Sequence, residues 1–446
     1  MILYKIVTSA PPCHSDGPPK LINAISPGSK KILFAACLLL CLVGVSAQSV
    51  DSVFVKEARA DSRERLYKNI VRNGITKNLS FYLTDSTEEN WMDAFYNLAF
   101  IGYKAPWVQN QVTTAFTGIE KRSVAFQRSL IALVYSNYPT GFDVPVFALL
   151  NQTANDKIFA MCAEYLLVAK PVLQKDLWNK TLQMLRTDTG SAILRQLIYR
   201  LGNNTSNFIL PNLGDLLHQP FFKNAVVLFS FQRKNRDYPG IVLVRDTAGN
   251  FVKNEQDNFF AVPQLARSIT NLPGYLSFGN TPQGIFRLFG TDVSKNIFIG
   301  PTPNLQLTMP FETNLPHFLN DSNSINTLWS VDRYKNLLPE SWQNYFPIME
   351  TYYAGKAGRT EIIAHGTTID PAYYAGKPYY PLTPSLGCLC TNELWANTDG
   401  RRLLSNQQQL VTAIQKAGGA NGYCIVVELD DKQQPVTIAD ILPFLN

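Results

Sequence analysis

The fold is decided at Ala225-Val226-Val227-Leu228-Phe229-Ser230-Phe231, where a long helical pattern ends and a β-rich pattern begins. Valine and phenylalanine are typical of strands, so this short apolar run predicts a buried strand. A second strand is predicted at residues 240–244, and the turn residues 246–250 join it as a hairpin to residues 251–252. Prolines and glycines punctuate further short strands. We therefore predict a mainly β domain over residues 221–446.

Upstream of residue 220 the apolar residues recur with helical spacing. In residues 123–135, Phe126, Leu130, Leu133 and Val134 would lie on one helical face. The helical pattern continues through residues 144–169, 172–186 and 191–201, and it is broken by Pro171 and by polar turns such as Asn151-Gln152-Thr153. Successive helical hairpins predict an all-α domain at residues 48–220, built as a HEAT-like stack or as a plain helical bundle. The predicted fold class is therefore α+β and multidomain.

Two segments interrupt the β-rich pattern. Residues 313–358 are rich in tryptophan and tyrosine and are predicted to be a partly helical insertion. Residues 366–384 form a long loop that carries Tyr373, Tyr374, Tyr379 and Tyr380. Because long loops inside compact domains are often lids, we predict that these tyrosines contact a substrate. The alternative is a surface flap with its tyrosines packed down.

The first 47 residues have the pattern of a leader. Lys30 and Lys31 precede an apolar run that is too short for a stable membrane span, and small residues follow at positions 45–47. We therefore predict a secretory signal at residues 29–47. An uncleaved membrane anchor is the alternative.

The charge of the chain gives little support for nucleic-acid binding. The formal net charge of +6 falls to +3 when residues 1–47 are removed, and no basic run stands out. Weak attraction to an anionic polymer such as a cell wall is compatible with this charge. The aromatic content of 12% suggests aromatic-walled grooves as well as aromatic cores.

A histidine and a cysteine near the C-terminus have the pattern of a catalytic pair. His365 ends an apolar stretch, and Cys388 follows Gly387. A nearby imidazole promotes formation of the thiolate, which is the nucleophile in acyl transfer. The glycine allows a sharp turn and leaves room for a tetrahedral intermediate, whose oxyanion backbone amides would stabilise. The second imidazole nitrogen needs an acceptor, either Ser385 or a backbone carbonyl.

Other uses of the cysteines compete with catalysis. Cys162, Cys388, Cys390 and Cys424 remain after removal of the leader. A Cys388–Cys424 disulfide would exclude catalysis, whereas a Cys390–Cys424 disulfide would permit it. His365, Cys388 and Cys390 could together bind zinc, but the Cys-x-Cys spacing is unusual for such sites. We therefore predict neither a metal nor a cofactor.

Three segments occur in a suggestive order: Gly279-Asn280-Thr281-Pro282-Gln283-Gly284-Ile285-Phe286, His365-Gly366-Thr367 and Ser385-Leu386-Gly387-Cys388. Together they resemble the motifs of the L,D-transpeptidase (YkuD-type) family, over about residues 221–446. The resemblance implies a secreted bacterial enzyme of cell wall biogenesis that acts on peptidoglycan stem peptides. With the predicted signal, it also implies export across the inner membrane and a location in the periplasm or cell envelope. Such an enzyme cleaves a donor bond next to an L,D-centre, keeps the acyl group on its cysteine and passes it to an amine.

The resemblance also implies roles for single residues. Cys388 would be the nucleophile and His365 the base, while Ser385 and Gly387 complete the signature around the thiol. From the same segments we predict that Gly366 and Thr367 contact the substrate, together with the four loop tyrosines.

The chain departs from the family pattern in three places. Cys390 stands where many members have an arginine, Leu386 stands where many have a second histidine, and the interval from His365 to Cys388 is longer than usual. A thiol peptidase that hydrolyses wall peptides therefore remains an alternative. A further alternative is a non-catalytic wall-binding or scaffold protein whose helical domain recruits a protein partner.

Overall fold

The computed structural model describes residues 52–202, 209–219, 222, 224–321 and 328–445. The predicted signal at residues 29–47 lies outside this range. The described chain forms an N-terminal helical region followed by a closed eight-stranded β-barrel region with helical pieces, which confirms the predicted α+β class.

The helical region contains short helices joined by tight turns. Its α-helices are α1 (Ala60–Asn69), α2 (Glu88–Phe100), α3 (Pro106–Ala115), α4 (Val124–Asn137), α5 (Asp143–Gln152), α6 (Asp156–Ala169), α7 (Gln174–Thr187), α8 (Ala192–Gly202) and α9 (Leu213–Leu217), and a π-helix covers Ile70–Lys77. The helical pattern at residues 144–169 forms two helices, which confirms the predicted break at residues 151–153. Asn155 caps the start of α6, because its Oδ1 accepts from the N–H of Ile158 at 3.1 Å.

The barrel wall is built mainly from antiparallel neighbours. The strands are β1 (Val226–Gln232), β2 (Gly240–Arg245), β3 (Ala261–Leu265), β4 (Gly284–Asp292), β5 (Asn304–Thr308), β6 (Ile363–His365), β7 (Leu389–Thr391), β8 (Glu393–Trp395), β9 (Arg402–Ser405) and β10 (Asn421–Glu428). The closed order is β1-β10-β4-β5-β6-β7-β3-β2, and β8 pairs with β9 alone. The predicted strands at residues 225–231 and 240–244 are β1 and β2, and the hairpin into residue 252 is also confirmed.

Four further helices cover the barrel. They are α10 (Leu315–Leu319), α11 (Val331–Lys335), α12 (Glu350–Lys356) and α13 (Asn406–Ala417). The first three confirm that the insertion at residues 313–358 is partly helical. Side chains alternate along a strand, so Val226 of β1 packs in a core with Leu410 of α13, while Val227 packs in a second core with Trp342 of the insertion.

The helical and β regions share a core. The buried side chains Ile269, Leu272, Tyr275 and Leu276 of the β region pack in the same apolar cluster as helices α2 to α8. The Tyr275 hydroxyl also donates to the buried Glu164 Oε1 at 2.8 Å, and Arg200 Nε donates to the same oxygen at 2.5 Å. Residues 51–446 therefore form one compact unit. No helix within the described ranges is long and apolar enough to cross a membrane.

Candidate active site

The three segments singled out in the sequence meet at one place. The Thr281 hydroxyl donates to the Gly387 carbonyl at 2.9 Å, which joins the first segment to the third. Strand β6 pairs in parallel with β7, so that His365 lies opposite Cys390. The second segment therefore lies beside the third in the barrel wall. Residues more than one hundred positions apart in the chain thus build a single site.

A tight turn presents Cys388. The Ser385 hydroxyl donates to the Cys388 carbonyl at 2.9 Å and accepts from the Gly387 N–H at 3.1 Å. Gly387 has a φ of 115°, which favours glycine. A side chain at this position would also collide with the Arg359 guanidinium and the Gly279 carbonyl. Ser385 therefore positions the turn, and the Gly387 amide that we expected to hold an oxyanion is already bonded.

Replacing Gly387 by alanine is expected to destabilise the fold. Gly376 offers a matched control, because its φ is also positive (81°) but nothing lies near its missing side chain. Gly376→Ala should cost about 1–2 kcal/mol through backbone strain alone. Gly387→Ala should cost about 1–3 kcal/mol more, since the methyl group must displace packed atoms. Urea unfolding of both variants measures the difference, and equal losses would contradict this account.

The Cys388 thiol is half-buried and contacts the start of β6. Its Sγ donates to the Glu361 carbonyl at 3.7 Å. Burial raises the pKa of Cys388, while the Ile363 N–H and the Arg359 guanidinium lower it and the Glu361 carboxylate raises it. The net direction is upward, so the resting thiol is protonated at neutral pH. The sequence had led us to expect a thiolate formed by the imidazole.

His365 is buried and held in one tautomer. Its Nδ1 lies 2.5 Å from the Gly366 carbonyl, which can only accept, so Nδ1 carries the hydrogen and Nε2 is left as the base. The acceptor is thus a backbone carbonyl rather than Ser385. Burial lowers the pKa of His365, and the Gly366 carbonyl raises it, with burial the larger effect. The imidazole is therefore neutral at pH 7 and able to take a proton.

The thiol and the imidazole lie on neighbouring strands of the barrel wall and are not bonded to each other. Extending the β6–β7 pairing by one residue places Cys388 beside Ile363. Ile363 is two positions from His365, which corresponds to about 7 Å along the strand. In the described part of the chain no hydrogen bond joins them, since the thiol contacts Glu361 instead. Proton transfer therefore requires the two side chains to come within hydrogen-bond reach, directly or through one water, when substrate binds.

A buried carboxylate fixes the segment that follows His365. Glu393 accepts hydrogen bonds from the Thr367 N–H at 3.0 Å, from the Thr302 hydroxyl at 2.6 Å and from the Ser405 hydroxyl at 2.5 Å. A side chain at Gly366 would collide with this carboxylate. Gly366 and Thr367 are therefore buried framework that positions His365, and substrate contact by them stays a prediction.

The loop at residues 366–384 is anchored to the protein by its tyrosines. Tyr374 and Tyr379 are buried, and the Tyr374 hydroxyl donates to the Phe100 carbonyl of α2 at 2.8 Å. The Arg267 guanidinium lies 4.9 Å from the centre of the Tyr379 ring. Tyr373 is half-buried, and Tyr380 is 51% exposed. The loop is thus a packed flap, and Tyr380 is the most exposed of its four tyrosines.

Arg359 is a site residue that the sequence reasoning missed. Its buried guanidinium donates to the carbonyls of Gly279 and Asn280, both at 2.7 Å, and to that of Gly274. It forms no ion pair within the described residues. Burial lowers the pKa of Arg359 to about 10, and the charges of Glu350 and Cys388 act against that change. A buried cation therefore lies beside Gly387.

The other cysteines are poor candidates for chemistry. Cys162, Cys390 and Cys424 are buried free thiols, so neither disulfide alternative is formed. Burial raises the pKa of Cys390 and that of Cys424 to about 12. The described residues contain no group of three or more His, Cys, Asp or Glu side chains that could hold a metal ion.

Comparison with known proteins gives no assignment. No family model matches the chain, and neither a curated protein nor a solved structure matches it. The likeness to L,D-transpeptidases thus consists of the three segments and their order.

Proposed function

We propose that this protein is a thiol acyltransferase that uses Cys388 as nucleophile and His365 as base. The observation that carries the proposal is the adjacency of the three segments: the Thr281 hydroxyl donates to the Gly387 carbonyl, and the β6–β7 pairing sets His365 opposite Cys390, two residues after Cys388. The half-buried thiol of Cys388 and the neutral imidazole of His365 supply the two groups that acyl transfer needs.

In the first step the Cys388 sulfur attacks the carbonyl carbon of a peptide donor. The S–C bond forms, and the thiol proton passes to Nε2 of His365, directly or through one water. The C–N bond of the donor then breaks, and the leaving amine takes that proton. The acyl group remains on Cys388 as a thioester, and His365 is neutral again.

In the second step an acceptor amine attacks the thioester. The new C–N bond forms while the C–S bond breaks, and His365 passes a proton from the amine to the departing thiolate. Water in place of the amine would give hydrolysis by the same path. The two outcomes therefore differ in the acceptor and not in the residues of the site.

Arg359 would stabilise the negative charge in both steps. A buried cation without an ionic partner is costly, and an anion formed nearby reduces that cost. The Arg359 charge already lowers the pKa of Cys388 against the effect of burial. We therefore assign Arg359 as a positioning residue that favours the thiolate and does not contact the donor.

The substrate class follows from the resemblance. The proposed donors are peptidoglycan stem peptides cleaved next to an L,D-centre, and the proposed location is the periplasm or cell envelope. The packed loop carries Tyr380 at an exposed position near the third segment in sequence, where a peptide side chain would meet an aromatic ring.

Incubation of wall sacculi with the chain lacking residues 1–47 tests the proposal. Analysis of the muropeptides should reveal new L,D-linked or amine-exchanged products, and a carbapenem should form a covalent adduct with the protein. Shortened stem peptides without exchange would identify a thiol peptidase instead. Unchanged muropeptides together with no carbapenem adduct would overturn the enzymatic proposal.

A further inference from the structure

A single peptide group lies between His365 and the buried carboxylate of Glu393. The Gly366 carbonyl lies 2.5 Å from Nδ1 of His365, and the Thr367 N–H donates to Glu393 Oε2 at 3.0 Å. This carbonyl and this N–H belong to the same trans peptide unit, so they point in opposite directions. The imidazole and the carboxylate therefore form the two ends of one hydrogen-bond relay, which runs through the peptide between Gly366 and Thr367.

The other hydrogen bonds of Glu393 are those of an ionised carboxylate. The Thr302 hydroxyl oxygen accepts from Arg402 Nη1 at 2.8 Å, so its own hydrogen is free for Glu393. The Ser405 hydroxyl oxygen accepts from the Gln408 N–H at 2.9 Å, so its hydrogen is free in the same way. Burial raises the pKa of Glu393, and these donors and the Arg402 charge oppose that effect. With the backbone N–H of the relay, three donors converge on the carboxylate, and such donors favour its charged form.

The surrounding sequence brings the carboxylate close to the peptide. A side chain at Gly366 would collide with the Glu393 carboxylate, so glycine permits this approach. Strand β8 supplies both Glu393 and Trp395, and Trp395 Nε1 donates to the Thr367 carbonyl at 2.8 Å. One strand thus holds both backbone groups of Thr367. His365, Thr367 and Glu393 are all buried, so water screens the charge little.

Two other groups with ionisable side chains face Glu393. Arg402 of β9 is the nearby cation, and it reaches the carboxylate through the Thr302 hydroxyl. Cys390 of β7 is the nearby thiol. Burial raises the pKa of Cys390 to about 12, and the Glu393 charge acts in the same direction. The charge of Glu393 is therefore felt in β7, the strand that pairs with the strand of His365.

We propose that Glu393 is the positioning residue of the base, and that its charge acts through the relay to orient His365 and to strengthen Nε2 as a proton acceptor. Linked hydrogen bonds polarise one another, so a carboxylate on the N–H makes the carbonyl a better acceptor for Nδ1–H. A carboxylate bonded directly to an imidazole holds the tautomer and stabilises the imidazolium, and here the peptide stands between the two groups. The proposal rests on the role of His365 as base proposed above.

Nuclear magnetic resonance of histidine-labelled protein tests the relay without a substrate. Removal of residues 1–47 takes away one of the four histidines, so the signals of His218 and His317 serve as references for that of His365. We expect the wild-type His365 to carry its hydrogen on Nδ1, with a proton resonance downfield of the references. Glu393→Gln should move this resonance upfield and lower the pKa of His365 by about one unit, because an opposite charge is lost. Muropeptide formation should fall about tenfold, since the efficiency of a general base follows its pKa.

Trp395→Phe is the matched control. It removes the hydrogen bond to the Thr367 carbonyl and keeps the charge of Glu393, so it disturbs the same segment without the electrostatic change. The pKa of His365 should stay close to its wild-type value in this variant. Glu393→Asp also keeps the charge and should retain most of the wild-type pKa of His365.

Three results would overturn the proposal. They are a wild-type His365 with its hydrogen on Nε2, an unchanged pKa of His365 in folded Glu393→Gln, and equal pKa shifts in Glu393→Gln and Trp395→Phe. The first is measured on the unmodified site, so it decides even if Glu393→Gln fails to fold. A response of His365 to Glu393→Gln in a protein that forms no muropeptide products would leave the relay standing and count only against the acyltransferase.

Discussion

Replacing Cys388 by alanine is expected to abolish carbapenem adducts and to lower muropeptide product formation by at least about a thousandfold, since the loss of a nucleophile removes the covalent path. The fold should be retained, because the thiol is held only by weak backbone contacts, to the Glu361 carbonyl at 3.7 Å and to the Ile363 N–H. Intact-mass spectrometry after carbapenem treatment measures the first effect, and thermal unfolding measures the second.

Cys390→Ala is the matched control for this variant. Cys390 lies two residues away but is buried, and its Sγ donates to the Thr391 carbonyl at 3.8 Å. Its loss should cost some stability and leave the adduct at full yield. An inactive Cys390→Ala together with an active Cys388→Ala would reverse the assignment of the nucleophile.

The parts of the fold that were predictable follow from local patterns. Strands β1 and β2 and the hairpin after them are encoded within about 30 consecutive residues of alternating strand and turn signals. The switch from helix to strand near residue 221 is equally local. The break between α5 and α6 was also readable, because the polar turn Asn151-Gln152-Thr153 interrupts the helical pattern there, whereas the capping role of Asn155 was not recognised.

The parts that were not predictable depend on contacts between distant residues. Arg359 is a site residue because the carbonyls of residues 274, 279 and 280 converge on it, some 80 positions away in sequence. The anchoring of Tyr374 by Phe100 spans 274 positions. Neither contact leaves a pattern in a single sequence, so the loop tyrosines looked available for substrate.

The upward shift of the Cys388 pKa is likewise a property that the sequence alone could not predict. The sequence places a thiol and an imidazole near each other, which suggests a thiolate. Whether a thiolate forms depends on burial, which is a property of the packed fold. Here burial is the largest influence, and it raises the pKa of Cys388. The composition of a site can thus be read from its motifs, whereas its resting protonation cannot.

Replacing Arg359 by methionine is expected to slow alkylation of Cys388 about tenfold between pH 7 and pH 8.5, because a nearby cation commonly lowers a pKa by a unit or more. The thiolate is the reacting species, so below the pKa the rate rises with pH. Removal of the guanidinium charge raises the pKa of Cys388 and moves the whole rate curve to higher pH. Titration of His365 should add no inflection to the rate curve between pH 7 and pH 8.5, since burial lowers the pKa of His365 below the ordinary value of 6.5.

Two further variants, Arg359→Lys and Glu361→Gln, make the result for Arg359→Met decisive. Arg359→Lys keeps the charge and should retain most of the rate, which separates charge from packing. Arg359→Met also leaves the carbonyls of residues 274, 279 and 280 without a donor, so its unfolding must be followed by circular dichroism. Glu361→Gln avoids that difficulty, because Glu361 is exposed and its carboxylate raises the pKa of Cys388. It should shift the rate curve to lower pH.

Iodoacetamide alkylation followed by mass spectrometry gives the rate at each pH for all four proteins. The expected order of rates at pH 8 is Glu361→Gln, wild type, Arg359→Lys and then Arg359→Met. Superimposed curves for folded Arg359→Met and wild type would show that the guanidinium does not act on the thiol. A shift of Glu361→Gln to higher pH would contradict the electrostatic account of the site even if Arg359→Met fails to fold. The expected order requires that the Arg359 cation lowers the pKa of Cys388 and that the Glu361 carboxylate raises it.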